Sequence, residues 1–310
     1  MIRMLKSKLI TARIYLSMFF VKLLNAAGFN VASMSDYYSV LPAMKTLRRN
    51  ESRWFKPSNL GGVKYDLEAM MQFARNLTER FAKEYETLPT YTENQKKGFG
   101  PGFTALDARF LYYMLRDLKP RHYFEVGSGL STYYCSLART RNAEEGADMA
   151  ITCIEPFPYA ALKTIPGITL LDREVQDVDP ALFETLDEGD VLFIDSSHTV
   201  KIDGDVPFLF LEVLPRLRKG VVVHVHDVPF PYNVPYPPSL WIFGQQWPSF
   251  WNEAMLLQAF LAFNNVFEIV FSAPLLRHFH EDSLKSLVPE YETLEKNPNT
   301  FSSIWLRRIG

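Results

Sequence analysis

A chain of 310 residues, 47% hydrophobic and 22% charged, is long enough to bury a full globular core as one large domain or two modest ones. Its 33 Lys and Arg against 35 Asp and Glu leave a formal net charge of -2, which argues against nucleic acid or another polyanion as the main partner. Two cysteines, Cys135 and Cys153, cannot make a disulfide framework; both fall inside predicted regular elements and read as buried and reduced, as in a cytoplasmic protein.

The predicted elements begin with a basic, apolar helix. No acidic residue precedes Asp36, while Arg3, Lys6, Lys8, Arg13 and Lys22 are interleaved with Leu, Ile, Phe and Val. The apolar run Ile14 to Val21 is far short of the ~20 residues that a membrane-spanning helix needs. Read as a secretory signal, the same run is interrupted by Lys22 before a small-residue cut site at Asn25-Ala-Ala-Gly. Packing against the rest of the chain, and peripheral contact with the anionic face of the inner membrane, are the other uses open to it beside the signal.

Residues 65–85 carry Leu67, Met70, Met71, Phe73, Ala74, Leu77, Phe81 and Ala82 at the spacing of an amphipathic helix. The stretch 88–102, with Pro89, Gly98, Gly100, Pro101 and Gly102, reads as a linker or flap, so a boundary is expected near residue 100. It separates a helical N-terminal extension, 1–100, from a main domain, 101–310. In that domain a helix at 105–118 precedes short apolar runs at 123–126, 150–154, 168–171, 191–194, 221–225, 267–271 and 303–306, most of them separated by helix-length stretches. The alternation predicts an α/β fold: a Rossmann-like, seven-stranded, mainly parallel sheet with flanking helices. The run "GVVVHVHD" is apolar enough for a strand covered on both faces.

In such a sheet, ligands bind where the strands end. The first strand ends in Glu125-Val-Gly127-Ser-Gly129, the second in Glu155, the fourth in Asp195 and the fifth in His226-Asp227, so each of these ends carries a carboxylate. A dinucleotide fingerprint wants a third glycine where Thr132 stands and an acid earlier than Glu155. A carboxylate at Glu125 would also repel a pyrophosphate. A ligand with an ammonium, a ribose diol and no phosphate is favoured, and S-adenosylmethionine has these groups.

"EVGSGLST" resembles the first motif of class I S-adenosylmethionine-dependent methyltransferases, and "CIEP" their second. "FIDSSHTVKIDGDV" and "GVVVHVHDVPFPYNVP" are similar to the fourth-strand and fifth-strand motifs of one bacterial branch, and the similarity extends to "DYYSVLP", "GFGPGF" and "FWNEAMLLQAFLAFN". The resemblance implies that Gly127 and Gly129 pass beneath the methionine part of the cofactor, with Glu125 near its ammonium and Glu155 on the ribose hydroxyls. It places Asp177 near the adenine amine, and Ser128, Ser131, Thr132 and Asp195 complete the implied cofactor contacts. Relatives with related motifs bind magnesium through acids at the fourth and fifth strand ends, here Asp195 and Asp227, but this chain has His226 where they have an acid.

Methyl transfer from a sulfonium is an in-line displacement that asks the protein mainly to align donor and acceptor and to take a proton from a hydroxyl. His226 and His198, beside Asp227 and Asp195, are the candidate bases. His224, on the same strand face but deeper, reads as a core histidine. Residues 229–251 hold six prolines together with Tyr232, Tyr236, Trp241, Phe243, Trp247 and Trp251, a composition suited to a stacking lid over a sugar or aromatic acceptor, or to packing on the N-terminal helices. The expected activity is O-methylation of a small molecule or glycan precursor. An NAD-dependent oxidoreductase or epimerase, and a non-catalytic cofactor-binding scaffold, are the rival readings.

Overall fold

In the computed structural model of the chain, which describes residues 15–33, 37–288, 291 and 302–310, the apolar runs pair into one seven-stranded sheet in the order β3-β2-β1-β4-β5-β7-β6. The strands are β1 His122–Val126, β2 Ala150–Ile154, β3 Ile168–Leu171, β4 Val191–Ile194, β5 Val222–Val225, β6 Phe267–Ser272 and β7 Ile304–Arg308. The first five are parallel, and β7 runs antiparallel to both β5 and β6. Strands β4 and β5 are buried at every position, the consequence of a sheet covered on both faces. Because β1 lies between β2 and β4, the winding reverses beside β1, and a crevice opens there at the strands' carboxyl ends.

Helix α1, Leu67–Tyr85, starts at Asp66, whose side chain accepts the Ala69 N–H at 3.0 Å. Its buried face is Met70, Met71, Ala74, Leu77 and Phe81, each side chain of Leu or Met size contributing roughly 1.5–3 kcal/mol. That face packs on α2, Ala105–Leu118, and on a later helix, Ala273–Leu287. Arg116 of α2 is 3% exposed and ties three helices together. It donates to Glu84 of α1 at 2.7 Å and to Asn142 and Glu145 at the end of α3, Leu130–Glu144, the helix that follows β1.

The chain divides into two compact units, Met1–Trp54 and Phe55–Gly310. The second unit runs through the position near residue 100 where the sequence suggested a boundary. The Gly- and Pro-rich stretch is not a free linker, because Phe99 and Phe103 are each 4% exposed and lie in the same core as α1. In the first unit, residues 15–26 are helical, and the Trp54 indole N–H donates to the Leu47 carbonyl at 3.0 Å. Of the basic residues expected to meet a membrane, Arg3, Lys6, Lys8 and Arg13 lie outside the described residues, as does the start of the candidate signal run. Among the described residues no helix is long and apolar enough to cross a membrane. Cys135 and Cys153 are free and buried, and burial pushes both thiols above their ordinary range.

Candidate active site

Register brings the site together. The parallel ladder continues one residue past each strand: the Gly127 N–H donates to Ile154 O at 3.0 Å, Glu155 to Leu171 O at 3.0 Å, Asp195 to Val126 O at 2.8 Å and His226 to Ile194 O at 2.9 Å. Gly127, Glu155, Asp195 and His226 thus stand in a row on one edge of the sheet. At Gly127 the backbone is left-handed, φ +83°, and a Cβ there would lie 1.7 Å from the Asp195 carbonyl oxygen, so only glycine fits between β1 and β4. A Cβ on Gly129 would lie 2.8 Å from the Phe99 carbonyl oxygen. The segment read as a linker therefore forms a wall over the glycine turn, with Phe99 stacked on Tyr133 of α3 at 4.8 Å.

A cavity of about 530 Å³ opens at the switch point, within the usual range for small-molecule and cofactor pockets. Of the residues expected to hold a cofactor, Gly127, Glu155 and Asp195 line it. The others expected from the first motif stand behind it. Glu125 is fully buried and accepts the Ser131 hydroxyl; the Gly129 N–H donates to Thr132 Oγ1 at 3.1 Å; the Ser128 N–H donates to Glu155 at 3.1 Å. Burial pushes the Glu125 carboxyl up to about 8, against the lowering effect of its bonds to Ser131 and Thr132, and the charges of Asp195 and Glu155 add to the rise. Asp177 is exposed and outside the lining; Val175 and Gln176 of the same short 3-10 turn, and Glu174 just before it, line the cavity in its place. Asp203, Asp205 and Lys201 also line it, so five carboxylates, Glu155, Glu174, Asp195, Asp203 and Asp205, face one ammonium.

Asp195 also belongs to a second group. His198, 6% exposed, puts Nδ1 2.8 Å from Glu253 and Nε2 3.3 Å from both Asp195 and Asp227. His226, 1% exposed, puts Nε2 3.2 Å from Asp107 and Nδ1 3.3 Å from Asp195 and 3.7 Å from Asp227. Each imidazole is held from outside by a buried acid and turns its other nitrogen to the same pair of aspartates. Burial alone would lower both imidazoles. Hydrogen bonds to Asp195 and Glu253 hold His198, and the charges of Asp195 and Asp227 hold His226, well above the ordinary histidine value. Asp195 is held low in return: burial would raise it, and the two histidines more than offset that.

Local folding explains the placement. His198 and Asp227 adopt left-handed backbones, φ 55° and 54°, which turn their side chains back over the sheet edge. The His198 carbonyl accepts the N–H groups of Asn252 and Glu253, at 3.0 and 3.2 Å, where the helix Glu253–Leu261 begins. Trp251 packs on the His198 ring at 4.9 Å and on Trp241 at 5.2 Å, so part of the proline-rich segment covers the cluster. Another part packs elsewhere, with Tyr232 and Tyr236 against Phe55. His224 is a core residue as expected: it stacks on Trp305 at 3.9 Å, meets Ser303 Oγ at 2.8 Å, and burial keeps it neutral. Asp107 and Glu253 are the members of the cluster that the motifs did not point to.

Magnesium takes oxygen donors in an octahedral shell. Two of the four groups around the centre of this cluster are imidazoles, so the residues present do not match that ion.

Residues 124–228, from β1 to just beyond β5, match the family model described as a methyltransferase domain. An uncharacterized protein of Archaeoglobus fulgidus is 26% identical over 164 residues, 49% of this chain and 72% of its own. Among solved structures, the O-methyltransferase TomG from Streptomyces achromogenes, in complex with S-adenosylmethionine, is 16% identical, with 80% of this chain and 92% of that one covered at a TM-score of 0.42. The O-methyltransferase from Bacillus cereus, in complex with S-adenosylhomocysteine, is 10% identical, with 78% and 100% covered at 0.44. Residues 124–228 are thus a methyltransferase domain, built on the sheet order and strand-end residues described above.

Proposed function

We propose that the protein transfers the methyl group of S-adenosylmethionine to a hydroxyl oxygen of a small molecule or glycan precursor. The observation that carries this reading is Asp195, which lines the acidic cavity and also faces both histidines. A donor lying along Gly127 and Glu155 would then have its reactive end beside the cluster. Five carboxylates against one lysine favour a cationic, phosphate-free donor and disfavour the pyrophosphate of NAD.

Glu155 keeps its carboxylate fixed by accepting the N–H groups of Ser128 and Phe157, at 3.1 and 2.8 Å, and is the group suited to a ribose diol. Glu125 supports the glycine turn from beneath. The acceptor hydroxyl belongs where Asp195 and Asp227 show their remaining exposed surface, about a quarter of each side chain, and there their carboxylates accept its hydrogen bond. The Trp241–Trp251 pair beside His198 offers an apolar face for the acceptor ring.

The test uses calorimetry with S-adenosylhomocysteine and NAD, followed by incubation with isotope-labelled S-adenosylmethionine and a pool of hydroxylated small molecules. Binding of the homocysteine product without NAD binding, and a methylated ether in the pool that His226→Ala and His198→Ala reduce about 100-fold or more, are expected. NAD binding with no response to S-adenosylhomocysteine overturns the reading, and cofactor binding with no labelled product from any pool assigns a scaffold instead.

A further inference from the structure

We infer that Asp195, His198, His226 and Asp227 form a binding site for a divalent transition metal that accepts imidazole, of the zinc type, and not for magnesium. The inward nitrogens lie 3.3 Å from Asp195 and 3.3 and 3.7 Å from Asp227. Donors bound to one zinc at ~2.0–2.1 Å stand about 3.3 Å apart, which is the spacing of three of these four contacts. One ligand atom from each of Asp195, His198 and Asp227 already lies within 4.8 Å of the others, and His226 stands outside that trio as the fourth donor, next to its two aspartates.

Three further observations point inward to a ligand. His226 Nδ1 is buried, has no hydrogen-bond partner among the described residues, and faces the two aspartates. The outer nitrogen of each imidazole is taken by a buried carboxylate, Glu253 at 2.8 Å and Asp107 at 3.2 Å. That is the arrangement by which metal-bound histidines are oriented and made more basic. The site is also open on one side, since Asp195 and Asp227 keep 24% and 23% of their side-chain surface, which leaves room for an oxygen from an acceptor. Two nitrogens and two oxygens suit zinc, cobalt, iron or manganese better than an ion that prefers six oxygens. The site rests on geometry alone. Its use in methyl transfer, where it would make an acceptor hydroxyl easier to ionise, rests on the function proposed above.

The experiment strips the purified full-length protein with a chelator, reloads it with cobalt(II) and records the visible spectrum, then measures zinc and magnesium affinity by competition with a chromophoric chelator. One equivalent of cobalt with the intense bands of a four- or five-coordinate ion, and zinc binding at least 1,000-fold tighter than magnesium, are expected. His198→Gln should abolish the bands. Glu253→Gln, which leaves all four ligands in place, should weaken zinc 10–100-fold while circular dichroism shows an intact fold. A weak octahedral spectrum, equal affinity for magnesium, or zinc binding that His198→Gln leaves unchanged would each overturn the site; if that variant fails to fold, the wild-type cobalt spectrum and Glu253→Gln still decide. S-adenosylhomocysteine binding is measured on the same samples, so that a lost metal site and a lost methyltransferase are told apart.

Discussion

Glu125 is buried beneath the glycine turn, and its protonation makes the folding of this domain pH-dependent. Its carboxyl stands at about 8 in the folded chain against an ordinary value of 4.5, because burial opposes the charged form. A glutamate raised in this direction binds a proton on folding. Its contribution is therefore harmless below about 4.5, becomes more unfavourable as pH rises, and reaches its full cost above about 8. At 1.36 kcal/mol per pKa unit the full cost is about 5 kcal/mol. Glu125→Gln keeps an oxygen to accept the Ser131 hydroxyl and removes the charge. The variant should match the wild type within about 1 kcal/mol at pH 5 and exceed it by about 5 kcal/mol at pH 9. Urea denaturation of the ligand-free protein at pH 5, 7 and 9, followed by circular dichroism, gives the difference directly. A gap that does not change with pH, or one that favours the wild type at pH 9, would refute the reasoning.

Gly127→Ala should cost at least about 3 kcal/mol in a denaturation experiment and abolish S-adenosylhomocysteine binding, since a Cβ at φ +83° meets the backbone of Asp195, which has no flexible end to move. Glu155→Gln should weaken that binding by about 10–100-fold in calorimetry, whereas Asp177→Asn, exposed and outside the cavity, should change it less than about twofold. His224→Phe keeps a ring between Phe193 and Trp305 and loses only the Ser303 contact, so thermal melts should shift by the equivalent of about 1 kcal/mol, with methyl transfer retained. A large loss of turnover in that variant would place His224 in the chemistry.

The centre of the sheet was legible because β4 and β5 are fully covered. Runs such as Val191–Ile194 are apolar throughout, and each ends on a polar residue where the register leaves the sheet. The row Gly127, Glu155, Asp195 and His226 could be read for the same reason: each is the first residue after its strand. Other features were hidden by local roles that the same residues also fill. Asp107 sits three residues after the N-cap Thr104, whose hydroxyl donates to its Oδ2 at 2.7 Å, and in sequence this is an ordinary helix start. Glu253 is the first residue of its helix, where an acid needs no further reason. Each nevertheless turns a carboxylate to a histidine far away in sequence.

The Gly- and Pro-rich stretch misleads in the opposite sense. Its composition is that of a linker, but Gly100 and Gly129 mark close approaches, to Tyr159 and to the Phe99 carbonyl, which composition cannot express. Local pattern reports what a residue does for its own element. The cluster around Asp195 depends instead on five elements arriving at one point: the ends of β4 and β5, the turn carrying His198, and the first turns of two helices. That is why the acids closest to the proposed chemistry were visible as strand-end residues, while the two that orient the imidazoles appear only when the chain is folded.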